Sequence, residues 1–342
     1  MIKRLVIMIV ALFFTGSVLG FVALPGVQAQ QITRITVGGS GPGATAYILA
    51  GGLAELINTK VKHPKLRMTA QTTKGFVENS RLVDSGQMDM GMNSTPLLYA
   101  HHQGAKPFNK KAANVRVGIP VGTSAHQWVT FENSGIKTIS DLAGKRVSIG
   151  PRGSSTAVQS ERILQAYGIL DKVKVSRLGF AEAPSALQDG KLDAYGITST
   201  LPTPSVVQTA AQGKLYLLPI DKDKLDSLKK KFPGYFSFTL KAGSYAGQKK
   251  DVLCLGYNFY LIANKDLVPA WVMYDITKHL LDPQWRTFLL SLPTKGYAAL
   301  DFAPDLENLS VAGVPLHAGN VKYWEEKGVK IPKALIPPEY SK

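Results

Sequence analysis

One local pattern occurs twice in the chain, and that repetition constrains the fold more than any other feature of its 342 residues. In each copy an alternating strand ends in a polar, glycine-rich loop and a helical face begins at once. The first copy runs from residues 32–37 through Gly38-Gly39-Ser40-Gly41-Pro42-Gly43 to Tyr47, Ala50, Leu53, Ala54 and Ile57. The second runs from residues 146–149 through Gly153-Ser154-Ser155-Thr156 to Ala157, Ser160, Ile163, Leu164 and Tyr167. In both helices the apolar positions fall on one face at helical spacing. A second strand follows each time, at 66–69 and 172–178, then a short helix, 76–84 and 183–187. Each copy next reaches a Gly-x-x-Asp step, Gly86 to Asp89 and Gly190 to Asp193. A buried strand then stops at a polar lip, Asn93-Ser94-Thr95-Pro96 in one copy and Thr198-Ser199-Thr200 in the other. Two α/β lobes are expected, with parallel strands whose carboxyl ends gather ligand groups around a cleft.

Hydroxyls directly before a helical face are capping residues. The unpaired N–H groups of the first turn, with the positive end of the helix dipole, also form a site for an anion. Residues 153–156 fit both uses, and Arg152 adds charge beside them.

Between the copies lies a strand-rich stretch, 115–131, and a nearly continuous apolar strand at 252–263 is expected to return across the cleft. Helices are expected at 271–281, 284–290 and 321–326, whereas 221–250 reads as lysine-rich loop. The expected division is 30–132 plus 258–342 for lobe I and 133–257 for lobe II.

Residues 1–29 have the form of a secretory signal peptide: Lys3 and Arg4, an apolar run from Leu5, and small residues around Val27-Gln28-Ala29. A free periplasmic protein is expected, because the one cysteine, Cys254, is not at the cleavage position where a lipid anchor needs it. The net charge of +16 suits acidic partners, but the lysines and arginines are scattered without interleaved aromatics, so no nucleic acid is expected. Gly39-x-Gly41-x-x-Ala44 formally matches a dinucleotide fingerprint, but the second strand ends without the carboxylate that would hold the ribose. The six histidines lack ligand spacing and no Gly-x-Ser-x-Gly occurs, so no metal, no cofactor and no catalysis are expected.

Taken in order, several segments resemble the TAXI family of periplasmic solute-binding proteins of TRAP transporters, over about residues 35–332. Gly43-Ala44-Thr45-Ala46-Tyr47 resembles the family's Gly-Gly-Thr-Tyr-Tyr loop, and Gly75-Phe76-Val77-Glu78-Asn79 its Gly-Ser-Val-Glu-Asn helix start. Asn93-Ser94-Thr95 falls on its Gln-Ser-Asp segment. The stretch from Asp141 to Val147 is similar to its Asp-Leu-x-Gly-Lys-x-Val strand entry, and Gly153 to Thr156 to its Gly-Ser-Gly-Thr loop. Asp189 to Ala194 matches Asp-Gly-Lys-x-Asp-Ala, and His317, Gly319, Tyr323 and Glu326 match a closing His-x-Gly-x-x-x-Tyr-x-x-Glu. Departures at Ala46, Phe76, Thr95, Ser155 and Thr200 gather at or near the proposed ligand loops.

The resemblance implies a two-lobed, type II periplasmic-binding-protein-like fold with a central ligand cleft. It implies capture of a small anionic organic solute, an organic acid or acidic amino acid, and its delivery to a fused TRAP membrane permease. The residues expected at the ligand are Thr45, Tyr47, Lys74 and Gly75, then Ser94 and Thr95, with Ser154, Ser155, Thr156, Thr198 and Ser199 from the second lobe. Trp128 or Tyr195 is expected either as an aromatic wall or as core. The alternatives are the same fold serving an ATP-driven importer, and a periplasmic enzyme or sensor-input protein.

Overall fold

The computed structural model describes residues 31–293 and 306–341. The expected signal peptide at 1–29 lies outside the described residues. The first strand–helix series is β1 (Thr33–Gly38), α1 (Thr45–Glu55), β2 (Leu66–Gln71), α2 (Phe76–Asp84), β3 (Met90–Ser94) and α3 (Thr95–Gln103). The long strand β4 (Val115–Phe131) follows. The second series is β5 (Arg146–Ser148), α4 (Ser155–Ala166), β6 (Lys174–Ser176), α5 (Glu182–Gln188), β7 (Ala194–Ser199) and α6 (Pro204–Gln212). Then come β8 (Leu215–Leu218), α7 (Lys222–Lys231), β9 (Tyr235–Leu240) and the second long strand, β10 (Val252–Asn264). Helices α8 (Ala270–Leu281), α9 (Arg286–Ser291), α10 (Leu306–Ala312) and α11 (Ala318–Glu326) complete the described chain.

All ten strands belong to one sheet, whose main path runs β2-β1-β3-β10-β4-β7-β5-β6. The repeat in the sequence is visible in that order. β1 lies between β2 and β3, and β5 between β6 and β7, parallel to both neighbours in each case. What joins the two parallel sets is antiparallel: β3 pairs β10, β10 pairs β4, and β4 pairs β7. The expected lobe boundaries fall just past the end of β4 and inside β10. Nearly all of β4 and β10 is buried, which accounts for the continuous apolar run in β10.

The two Gly-x-x-Asp steps do the same structural work. Asp89 accepts hydrogen bonds from the Thr36 N–H at 2.8 Å and the Thr36 hydroxyl at 2.7 Å, tying the entry of β3 to β1. Asp193 accepts from the Arg146 N–H at 2.7 Å and from its guanidinium at 2.6 Å, tying the entry of β7 to β5. The motif from His317 to Glu326 is likewise architectural. His317 accepts from the Gly319 N–H at the start of α11, and its Nε2 donates to the Val268 carbonyl at 2.9 Å. A Cβ at Gly319 would sit 2.1 Å from the Ala270 carbonyl oxygen, so only glycine lets α11 approach α8.

Three expectations are corrected. Residues 221–250, read as loop, contain α7 and β9. Among the ten residues of α7 only Leu225 and Leu228 are buried, so its periodicity is masked by charge. The stretch 93–96, read as a lip, is the end of β3 and the start of α3, with Pro96 in the first turn, where its missing N–H costs nothing. The strand read at 172–178 is only three residues long. Trp128 and Tyr195 are core residues, 0% and 1% exposed, and the Tyr195 hydroxyl lies 2.7 Å from that of Thr209.

Candidate functional site

Three helices begin at one place. Thr45 and Ala46 at the start of α1, Gly75 and Phe76 at the start of α2, and Ser154 and Ser155 at the start of α4 line a single cavity. The rest of its wall is Ser40, Ala44, Ser124, Phe180, Thr198, Ser199 and Phe259. Each helix presents first-turn N–H groups that have no partner within the helix. In α4 one of these, Ala157 N–H, is met by the Ser154 hydroxyl at 3.0 Å. The residues preceding α1 and α2, Ala44 and Gly75, give no side-chain cap. Gly75 has φ of +123°, and a Cβ there would meet Ser154 Cα at 3.1 Å, so glycine is what allows α2 to start against α4.

None of the thirteen described lining residues carries a charged side chain. Seven are serine or threonine, and six of those already serve the protein. The Thr45 and Ser199 hydroxyls are 2.6 Å apart, and the Thr45 N–H donates to Ser199 Oγ at 3.0 Å. Ser154 donates to the Pro151 carbonyl at 2.7 Å. Ser155 Oγ accepts from the Tyr257 hydroxyl at 2.9 Å, and burial raises the pKa of that phenol, keeping it a donor. Thr198 Oγ1 is 2.7 Å from His126 Nδ1. Burial lowers the His126 pKa to about 3, so the ring is neutral. Ser40 is the least engaged, with a partner only at 3.4 Å, while Ser124 lies 3.4 Å from the Thr200 hydroxyl and also hydrogen-bonds the Tyr257 hydroxyl.

The cavity joins the two strand sets directly. Besides the Thr45–Ser199 pair, the Thr200 N–H donates to Thr45 Oγ1 at 3.1 Å, and the Glu78 N–H to the Gly153 carbonyl at 3.0 Å. The cavity's volume is about 20 Å³, room for a single water, which needs about 10–15 Å³.

Of the residues expected at a ligand, Thr45, Gly75, Ser154, Ser155, Thr198 and Ser199 come together here. The others lie elsewhere. Tyr47 is 44% exposed, because one further helical residue turns it away from the wall that Thr45 and Ala46 form. Lys74 is exposed, with its Nζ 3.7 Å from Glu78. Thr156 is fully buried and its hydroxyl accepts from the Thr198 N–H at 3.0 Å. Ser94 and Thr95 are fully buried at the start of α3, where Thr95 donates to the Asn258 carbonyl at 3.2 Å. Sequence reasoning missed Ser40, Ser124, Phe180 and Phe259. Ser40 lies in the glycine-rich loop before α1, whereas the other three carry no local signal.

A hydroxyl–imidazole–carboxylate series does occur elsewhere. Ser80 Oγ lies 2.9 Å from His101 Nδ1, and His101 Nε2 lies 3.8 Å from Asp84. Ser80 is fully buried and accepts from Asn93 Nδ2, and Asp84 accepts from the Ala113 and Asn114 N–H groups. The series ties α2, β3 and α3 together, and none of its members lines the cavity. Among the described residues no cluster of three or more metal-ligating side chains occurs. No helix among them is long and apolar enough to cross a membrane.

Comparison with solved structures places this architecture among known folds. A protein of Bordetella bronchiseptica RB50 superposes with a TM-score of 0.50 at 17% identity, over 90% of this chain and 91% of that one. The alkanesulfonate-binding protein SsuA from Xanthomonas axonopodis pv. citri gives 0.47 at 17% identity, over 87% and 92%. The periplasmic aliphatic sulphonate-binding protein SsuA from Escherichia coli gives 0.43 at 16% identity, over 89% and 96%. The mixed α/β fold around a central sheet, expected above, is shared with the Bordetella bronchiseptica protein. A family model described as the NMT1-like family matches residues 37–328, and the chain therefore belongs to the NMT1-like family.

Proposed function

We propose that the protein is an extracytoplasmic, periplasmic solute-binding protein that closes two lobes around a small carboxylate and delivers it to a TRAP-type permease. The lobes divide near residues 132 and 258, as the crossings β4 and β10 suggest. One observation carries the reading: three helix N-termini converge on a cavity lined by hydroxyls and lacking any charged side chain among the described residues. Such an arrangement offers several fixed donors and a positive potential to an anion, with no carboxylate among the described lining residues to oppose it.

The test begins with the small molecule that copurifies, identified by native mass spectrometry and then titrated calorimetrically. Ser155→Asp places a negative charge on the wall, and like charges about 4 Å apart at an effective dielectric near 20 repel by about 4 kcal/mol, close to a thousandfold in affinity. Ser155→Asn has the same shape without the charge and is expected to bind far better than Ser155→Asp. Both side chains keep an oxygen that can accept from the Tyr257 hydroxyl, and melting each variant without ligand separates a folding defect from a binding one. Equal binding by the two variants would remove the anion from the cavity. Delivery is separated from the ATP-driven alternative by uptake into vesicles carrying the permease: an ion gradient, and not ATP, is expected to drive it.

A further inference from the structure

We infer that the cavity selects a monoanion with an apolar body and rejects both dicarboxylates and amino acids, acidic ones included. This rests on the reading that the cavity takes an anion, and it narrows that reading to one class of solute.

The argument starts from what the wall cannot supply. A second carboxylate, once desolvated, needs a cation or a second set of donors, and burying it unpaired costs several kcal/mol. Among the described residues no lysine or arginine lines the cavity. Lys74 is exposed and paired with Glu78, and Arg152 is exposed on the loop before α4. An ammonium group fares worse. It needs acceptors, yet among the described residues no aspartate or glutamate lines the cavity. The two nearby carboxylates are engaged elsewhere, Glu78 by the Lys74 N–H at 2.6 Å and Glu182 by the Gly179 N–H at 2.9 Å. The positive ends of three helices also repel a cation.

What the wall does supply beyond donors is aromatic. Phe76 from the start of α2, Phe180 from the loop between β6 and α5, and Phe259 from β10 all line the cavity while 5%, 6% and 1% exposed. The Phe76 and Phe259 rings are 5.5 Å apart. Once the loops part, three phenyl rings from three separate segments form a surface for a hydrocarbon body, and each CH₂ moved onto it from water tightens binding about fourfold. The donor set is neutral and not shaped for one head group, so a carboxylate and a sulfonate meet it on similar terms.

The experiment is calorimetric titration of the full mature chain with phenylacetate, 4-methylpentanoate, hexanesulfonate, phenylacetamide, phenylalanine, glutamate and succinate. The apolar monoanions are expected to bind about a hundredfold more tightly than glutamate, succinate or phenylalanine, the fold-change that an unpaired buried charge imposes. Phe180→Ala is expected to weaken phenylacetate about 10- to 100-fold, as loss of one buried apolar side chain does. Glutamate, succinate or phenylalanine binding within about tenfold of phenylacetate would overturn the inference and leave the anion reading standing. Phenylacetamide binding as tightly as phenylacetate would overturn the anion reading, and the inference with it. Failure of all three apolar monoanions to bind while glutamate or succinate binds would overturn the inference alone.

Discussion

At the scale of single residues, the hydroxyl run at the start of α4 shows how far a sequence can assign roles. Ser154, Ser155 and Thr156 are consecutive and chemically alike, yet the structure gives them three different partners: the first caps the helix, the second receives the Tyr257 hydroxyl, and the third holds the Thr198 N–H. Nothing in the run itself distinguishes them, because those partners lie up to about a hundred residues away. Thr156→Val keeps the side-chain shape but leaves the Thr198 N–H buried without an acceptor, which costs about 1–3 kcal/mol. Urea denaturation should therefore show a clear loss of stability. Calorimetry should show a smaller loss of ligand affinity, transmitted through Thr198 on the wall. A variant that binds poorly while unfolding like wild type would put the Thr156 hydroxyl at the ligand instead.

At the scale of elements, the repeated strand–loop–helix series was legible because the chain writes each step in a form that local physics dictates. Glycines mark the loops before α1 and α4, and an aspartate marks the entry to β3 and to β7. Those aspartates satisfy backbone N–H groups on the neighbouring first strand, so their spacing carries topological information. The two crossings were legible for another reason: strands covered on both faces lose the alternation that marks a half-exposed strand. What stayed hidden was short or highly charged. β9 is recognised only through its pairing with β10, and α7 holds its place with two leucines among five lysines and two aspartates. Phe180 and Phe259 show the same limit at the cavity, since an aromatic residue reads alike in a core and in a binding wall.

At the scale of the whole molecule, buried imidazoles make stability depend on pH. Burial lowers His126 to about 3 and His101 and His317 to about 4, from an ordinary value near 6.5. Their folded pKa values lie below the unfolded one, so their contribution is complete above about pH 6.5. It falls as the pH drops toward about 4, because there only the unfolded chain takes up the protons. Each such histidine adds a slope approaching about 1.4 kcal/mol per pH unit in that window. Urea unfolding should therefore give similar stability at about pH 7.5 and 8.5 and markedly less at about pH 5, with His126→Gln reducing the slope. Equal stability at pH 5 and 7.5 would mean that these rings are not held neutral.

The pair of hydroxyls that joins the start of α1 to the end of β7 also offers a handle on solute exchange. Their oxygens are 2.6 Å apart, and two cysteines in their place would have sulfur atoms close to the roughly 2.05 Å of a disulfide. The one native thiol does not compete, for Cys254 is buried and its pKa is pushed up to about 12. With room for only a single water in the cavity, a solute can enter only when these loops part. Oxidised Thr45→Cys/Ser199→Cys protein should thus be sealed: titration with any ligand of the wild type should release no heat until dithiothreitol is added, and the reduced protein should then bind at the level of the two single variants. Full binding by the oxidised protein would mean that solute reaches the cavity by a route that leaves this junction shut. Where the expected outcome holds, the same two positions convert a passive receptor into a redox-gated one that keeps whatever it held when the bridge formed.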